Sequence, residues 1–163
     1  MICKNIKHSI FLSVLFFVGS IQGGYAQEAS DMETVPEMQA ASFTPPFDFP
    51  IVFSGNFGEI RANHFHGGLD FKTGGAIGKP VRALADGHIS RIRVTHGSGY
   101  VLDVDYDNGY STINRHLSAF VGDIARRVKA LQYEKESWEV EITPEPGEYP
   151  VKAGQVIALS GNT

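Results

Sequence analysis

Two side chains four residues apart give the strongest chemical signal in this sequence. His66 and Asp70 flank Gly67-Gly68-Leu69 in an HxxxD pattern. Zinc binds imidazole nitrogen and carboxylate oxygen at about 2.0–2.2 Å, so the two donor atoms must lie within a few Å of each other. Residues four apart in a straight strand are separated by about 13 Å. We therefore expect the backbone to bend at Gly67-Gly68, where glycine permits it, and to bring both donors to one ion.

This pattern has a second interpretation without chemistry, a Gly-Gly turn with a surface histidine and a surface aspartate. His116 adds weight to the metal interpretation. It lies in Arg115-His116-Leu117-Ser118, where a predicted strand gives way to a predicted helix. A histidine there is either a neighbour of the helix N-terminus or a general base beside a metal-bound water, because histidine exchanges protons near neutral pH.

Other metal-competent residues fit less well. His64 shares a face with His66 in an extended backbone, but the expected glycine bend decides which neighbours converge, and we do not assign it as a ligand. Asp103, Asp105 and Asp107 resemble a calcium loop, yet the sixth position is not glycine and the twelfth is not glutamate. We interpret these aspartates as a solvated strand face that ends in a hairpin.

Short runs that mostly alternate apolar with polar residues predict a β-meander with one face buried. Asp107-Asn108-Gly109 predicts a tight turn between two of these runs. The runs of the meander are Val81–Leu84, Ile89–Val94, Tyr100–Tyr106 and Tyr110–Asn114, and Trp138–Ile142 and Val156–Leu159 are two later predicted strands.

One helix is predicted to begin near Ser118. Phe120, Ile124, Val128 and Leu131 form a single apolar stripe at helical spacing. We therefore predict a mainly β fold, a single antiparallel sheet with one inserted helix. Residues 120–149, which include this helix, are either the wall of a substrate cleft or a cover for a sheet edge.

The N-terminal residues predict export. Lys4 and Lys7 precede the short apolar run Ile10–Val18, and residues 24–26 are suited to signal-peptide cleavage before Gln27. We expect a signal peptide at residues 1–26, a polar linker at 27–50 and one domain at 51–163. The apolar run is too short for a stable membrane span. Cleavage also removes Cys3, the only cysteine.

The charge of the mature chain excludes one class of partner. Loss of Lys4 and Lys7 leaves 12 of the 14 basic residues against 18 acidic ones, a net charge of −6. Such a chain offers no basic surface, so we expect no nucleic-acid partner.

Several motifs follow one another in a fixed order from about residue 55 to residue 163. They are His66–Asp70, Gly78–Ala83, Ala85-Asp86-Gly87, Gly97–Tyr100, His116-Leu117-Ser118 and Gly154–Ile157 followed by Ser160–Thr163. In their order and spacing the sequence resembles the lysostaphin-like (LytM-type) zinc endopeptidases.

The resemblance implies the LytM (duplicated hybrid motif) fold and a function. His66 and Asp70 match the first two Zn²⁺ ligands, and His116 matches a histidine that assists catalysis. The implied activity is hydrolysis of peptide bonds in peptidoglycan cross-bridges or stem peptides, in the bacterial periplasm, cell envelope or extracellular space.

The family's HxH motif, which supplies the third zinc ligand and a second catalytic histidine, would follow Thr163 and is absent here. We expect either a truncated record or a protein that lost its site. In the second case the chain is an inactive relative that binds cell wall or activates a partner hydrolase.

Overall fold

The computed structural model describes residues 2–4 and 42–162. Apart from residues 2–4, the predicted signal peptide lies outside the described residues, as do residues 27–41 of the predicted linker. The strands and the helix of the described residues are β1 (Ile2–Lys4), β2 (Phe53–Gly55), β3 (Asp70–Phe71), β4 (Pro80–Arg82), β5 (Gly87–Thr95), β6 (Gly99–Tyr106), β7 (Tyr110–Phe120), α1 (Gly122–Glu134), β8 (Val140–Ile142), β9 (Pro150–Val151) and β10 (Val156–Ser160).

Eight of these strands form one antiparallel sheet. Its main path is β4-β10-β7-β6-β5-β8, while β1 pairs with β7 and β9 pairs with β5. β2 and β3 form a separate two-stranded sheet. The predicted mainly β, antiparallel fold with one inserted helix is confirmed. The prediction of a single sheet missed the β2–β3 pair, whose strands are only three and two residues long.

The centre of the large sheet is a meander of β5, β6 and β7, which confirms three of the four predicted runs. The first run, Val81–Leu84, falls at β4, which pairs with β10 and not with β5. Apolar side chains of β5 and β6 alternate into the core, and Ile92, Val94, Leu102 and Val104 are almost fully buried. The tight turn between β6 and β7 is confirmed, since Gly109 takes a positive φ of 81° and its N–H donates to Tyr106 O at 3.0 Å.

The helix begins four residues later than predicted. β7 continues to Phe120 because Leu117, Ala119 and Phe120 pair with β10. The stripe prediction holds for Ile124 and Val128, which are buried, whereas Phe120 reaches the core from a strand. Within residues 2–4 and 42–162 no helix is long and apolar enough to cross a membrane.

The segment after α1 covers an edge of the sheet. Val140–Ile142 pair with residues 92–94 of β5, and β9 pairs with the start of the same strand. Of the two expectations for residues 120–149, this pairing favours the edge cover.

The described part of the predicted linker packs against the domain. Thr44 N–H donates to Leu84 O at 2.7 Å, and Arg82 N–H donates to Pro46 O at 2.9 Å. Phe47 is buried in the core and stacks on Phe49 with a ring-centroid distance of 4.9 Å.

Candidate metal centre

Two backbone pairings bring the HxxxD residues to one place. Gly58 N–H donates to His66 O, and His66 N–H donates to Glu59 O, both at 2.8 Å. Residues 58–66 therefore form a hairpin that ends at His66. Asp70 opens β3 and lies opposite Gly55 of β2. The hairpin and the small sheet thus fix the two ends of the HxxxD segment.

The donor atoms of the pair lie close together. His66 Nε2 is 3.2 Å from Asp70 Oδ1, and the side chains are 18% and 37% exposed. Two ligand atoms on a tetrahedral zinc ion with bonds of 2.0–2.2 Å lie about 3.4 Å apart. The observed separation matches that spacing, and the partial exposure leaves the pair accessible from solvent.

The orientation of the His66 ring suits a metal ligand. Nδ1 lies 2.9 Å from the backbone carbonyl oxygen of Asn56. A carbonyl only accepts, so Nδ1 carries the proton and Nε2 of the neutral ring presents its lone pair. That lone pair faces a carboxylate oxygen, which also only accepts, and a proton or a cation between them relieves the repulsion. Metal-bound histidines commonly donate their second ring N–H in this way.

The second oxygen of Asp70 is held by a cation. Arg61 Nη2 donates to Asp70 Oδ2 at 2.8 Å and contacts Glu59 Oε2 at 3.1 Å. Oδ1 remains directed at His66. A Cβ at Gly55 would lie 2.4 Å from Asp70 Oδ2, so the carboxylate occupies space that only glycine leaves free.

The chain bends at Gly68, between His66 and Asp70. Neither Gly67 nor Gly68 has a positive φ. A Cβ at Gly67 would meet no atom within 4 Å, and at Gly68 the nearest atom is His66 Nε2 at 3.9 Å. The donors converge and the chain bends at Gly68, as predicted. The 58–66 hairpin and the β2–β3 pairing, which the sequence did not predict, fix the two ends of the segment.

The described part of the chain places no third donor beside this pair. Among residues 2–4 and 42–162 no group of three His, Cys, Asp or Glu side chains could hold a metal. His116 lies in β7, where its N–H donates to Ser98 O at 3.0 Å. His64 instead pairs with the side chain of its neighbour Asn63 at 2.6 Å. The structure therefore brings together two of the three predicted site residues.

Two contributors to the pair were missed by sequence reasoning. The carbonyl of Asn56 acts through the backbone, so its side chain leaves no signature. Arg61 is the detectable one, because a cation shortly before an HxxxD pattern is a candidate partner for the aspartate. The predicted solvated face holds for Asp105 and Asp107, which are exposed. It is wrong for Asp103, whose side chain is only 15% exposed and accepts two hydrogen bonds from Arg93 at 2.7 and 2.9 Å.

Comparison with known proteins adds no relative. No family model, no curated protein and no solved structure matches this chain. The fold and the site therefore show an antiparallel β domain with an accessible histidine–carboxylate donor pair, and they do not assign it to a family. Any narrower identity is a proposal.

Proposed function

We propose that this protein is an exported zinc-dependent metalloendopeptidase of the lysostaphin-like (LytM) type. Its proposed substrates are peptide bonds in peptidoglycan cross-bridges or stem peptides. One observation supports this most: His66 Nε2 and Asp70 Oδ1 lie 3.2 Å apart while Asn56 O holds the other ring nitrogen. Histidine and carboxylate ligands with an open position are a ligand set of catalytic zinc.

The residues divide into holding and assisting roles. His66 and Asp70 would hold Zn²⁺, and Arg61 would keep the Asp70 carboxylate oriented through its second oxygen. Bound zinc supplies Lewis-acid chemistry at a peptide carbonyl and at water. His116 would assist by orienting the attacking water or by stabilising the oxyanion.

The third ligand belongs to the proposal as well. The described residues hold two donors, and the resemblance puts an HxH motif after Thr163. A site with only two protein donors binds zinc weakly and does not fix its coordination geometry. We therefore expect the 163-residue chain to bind zinc weakly and to hydrolyse little or no peptide.

Hydrolysis tests the function directly. The protein, expressed from its complete gene, is incubated with purified peptidoglycan, and new amino termini are counted. We expect release that stops with a chelator, returns with zinc and is lost in Asp70→Ala. His64→Ala is the matched control, because this histidine lies in the same hairpin and pairs with Asn63 instead. No release by the zinc-loaded protein would overturn the proposal.

A second candidate function is a catalytically inactive cell-wall binding module or activator of a partner hydrolase. The observation that favours it is the engagement of Asp70 by Arg61 at 2.8 Å, together with a donor group of only two in the described ranges. Sedimentation with insoluble peptidoglycan in the presence of a chelator separates the two functions. Retention without release of amino termini favours the binding module.

Export is proposed from the N-terminal sequence and has its own measurement. The N-terminal residue of the mature protein, recovered from the envelope or medium of the cells that produce it, should be Gln27. A protein that retains Met1 and stays in the cytoplasm would contradict export while leaving the metal site untouched.

A further inference from the structure

The backbone of His116 is in an unusual conformation for a strand residue. His116 has a φ of 55°, and among the described non-glycine residues only Glu136 shares a positive φ. This left-handed region is unfavourable for residues with a Cβ and persists where the surroundings enforce it. It also interrupts the alternation of β7, so it determines the direction in which the imidazole leaves the strand.

Gly161 lies against the backbone of this residue. A Cβ at position 161 would lie 2.2 Å from His116 O and 3.0 Å from both Leu117 C and Ser118 N. The atoms it would meet are backbone atoms, so a side chain at 161 forces the chain at 116–118 to move. On the other side, His116 N–H donates to Ser98 O at 3.0 Å. His116 is thus held between two backbone segments.

The segment that carries Gly161 is itself anchored. Ser160 accepts hydrogen bonds from Lys79 N–H at its Oγ (3.0 Å) and from Gly78 N–H at its carbonyl (2.7 Å). Its own N–H donates to Lys79 O at 2.8 Å. The register between β10 and β7 shifts between Leu159 and Ser160, and Ser160 pairs with Leu117, the residue after His116.

We propose that Gly161 is a positioning residue for His116. The absence of a side chain at 161 lets the anchored end of β10 rest on the His116 carbonyl, and this contact holds His116 in its left-handed conformation. Residues from three motifs, at 78–79, 97–100 and 160–161, then all help to hold the backbone of His116. The catalytic consequence rests on the proposed function, whereas the conformational effect stands without it.

The test compares two glycine substitutions of equal severity. Gly161→Ala places a Cβ against His116, and Gly87→Ala places one 2.2 Å from Asp105 O at a different strand contact. Imidazole NMR signals of the 163-residue chain are recorded for both, with His116 assigned by its loss in His116→Gln. We expect both variants to lose stability, but only Gly161→Ala to move the His116 signals beyond their linewidth.

Activity provides the second readout, in the protein expressed from its complete gene. There Gly161→Ala should lower kcat by about 10²-fold with KM little changed, because a small misplacement of a catalytic group costs that much. Gly87→Ala should retain kcat. If Gly161→Ala does not fold, Ser160→Ala replaces it, since loss of the Lys79 contact loosens the same anchor and should shift the His116 signals in the same direction.

Unmoved His116 signals in the folded position-161 or position-160 variant would overturn the proposal. So would equal movement in Gly87→Ala, which would make the effect one of general destabilisation. Absence of hydrolysis by the wild-type protein, with the His116 signals still shifted by Gly161→Ala, would remove the proposed function and leave the positioning contact established.

Discussion

Gly55 lies behind the carboxylate of Asp70, and a methyl group there perturbs the donor pair with little effect on the core. The new Cβ would lie 2.4 Å from Asp70 Oδ2 and 2.5 Å from Arg61 Nη2, whereas real Cβ contacts essentially never fall under 3.0 Å. The carboxylate or the guanidinium must therefore retreat by about 0.6 Å. Zinc–ligand distances tolerate only about 0.2 Å. We predict that Gly55→Ala weakens zinc binding by about 10- to 100-fold.

Stability should respond much less than zinc affinity. The atoms that the new methyl group meets are the ends of two partly exposed side chains, and an exposed ion pair contributes at most about 1 kcal/mol. Zinc affinity is measured by competition with a chromophoric chelator, and stability by urea unfolding of the metal-free chain. Gly67→Ala is the control, since a Cβ there meets no atom within 4 Å and should leave zinc affinity unchanged. Equal zinc affinity in Gly55→Ala and the wild type would refute the reasoning.

Two further predictions concern ion pairs away from the donor pair. Asp103→Ala should reduce the free energy of unfolding by about 2–3 kcal/mol. The substitution leaves the largely buried charge of Arg93, whose side chain is 18% exposed, without its partner. Glu141→Ala, in an exposed pair on the same sheet, should cost less than about 1 kcal/mol. Equal urea midpoints for the two variants would contradict this ranking. Hydrogen bonds from Lys152 and from the backbone hold the pKa of Asp86 below its ordinary value, so the folded state binds this proton less tightly than the unfolded state. The Asp86 carboxylate therefore adds to the free energy of unfolding at neutral pH, and this stabilisation is lost as the pH falls below about 4. The urea midpoints of the wild type and Asp86→Asn should differ at pH 7 and converge at acid pH, and a difference that does not depend on pH would rule out this linkage.

Local patterns predicted the centre of the fold well. The alternation along β5 and β6 and the turn signal Asp107-Asn108-Gly109 depend on neighbouring residues, and both agree with the structure. The helix start near Ser118 was wrong because pairing with β10, about 40 residues away in sequence, extends β7 to Phe120. Apolar periodicity contains no information about that distant strand.

The sequence predicted that the donors of His66 and Asp70 converge through a bend at the glycines, and the structure shows both. Their role as zinc ligands stays a prediction. The HxxxD spacing identified His66 and Asp70 from the donor types alone. The convergence of their donor atoms depends on the 58–66 hairpin and on a two-residue strand, which are too short to give a periodic signal. The contact from the Asn56 carbonyl could not be predicted from the sequence, because every residue has a backbone carbonyl.

Zinc titration of the 163-residue chain shows whether His66 and Asp70 hold a metal ion. The wild type and three variants, His66→Ala, Asp70→Ala and His64→Ala, are compared by competition with a chelator and by metal analysis after dialysis. We predict weak, saturable binding that is lost in His66→Ala and in Asp70→Ala and retained in His64→Ala. Binding that survives the loss of Asp70 or of His66, or that disappears with His64, would contradict the assignment of this donor pair.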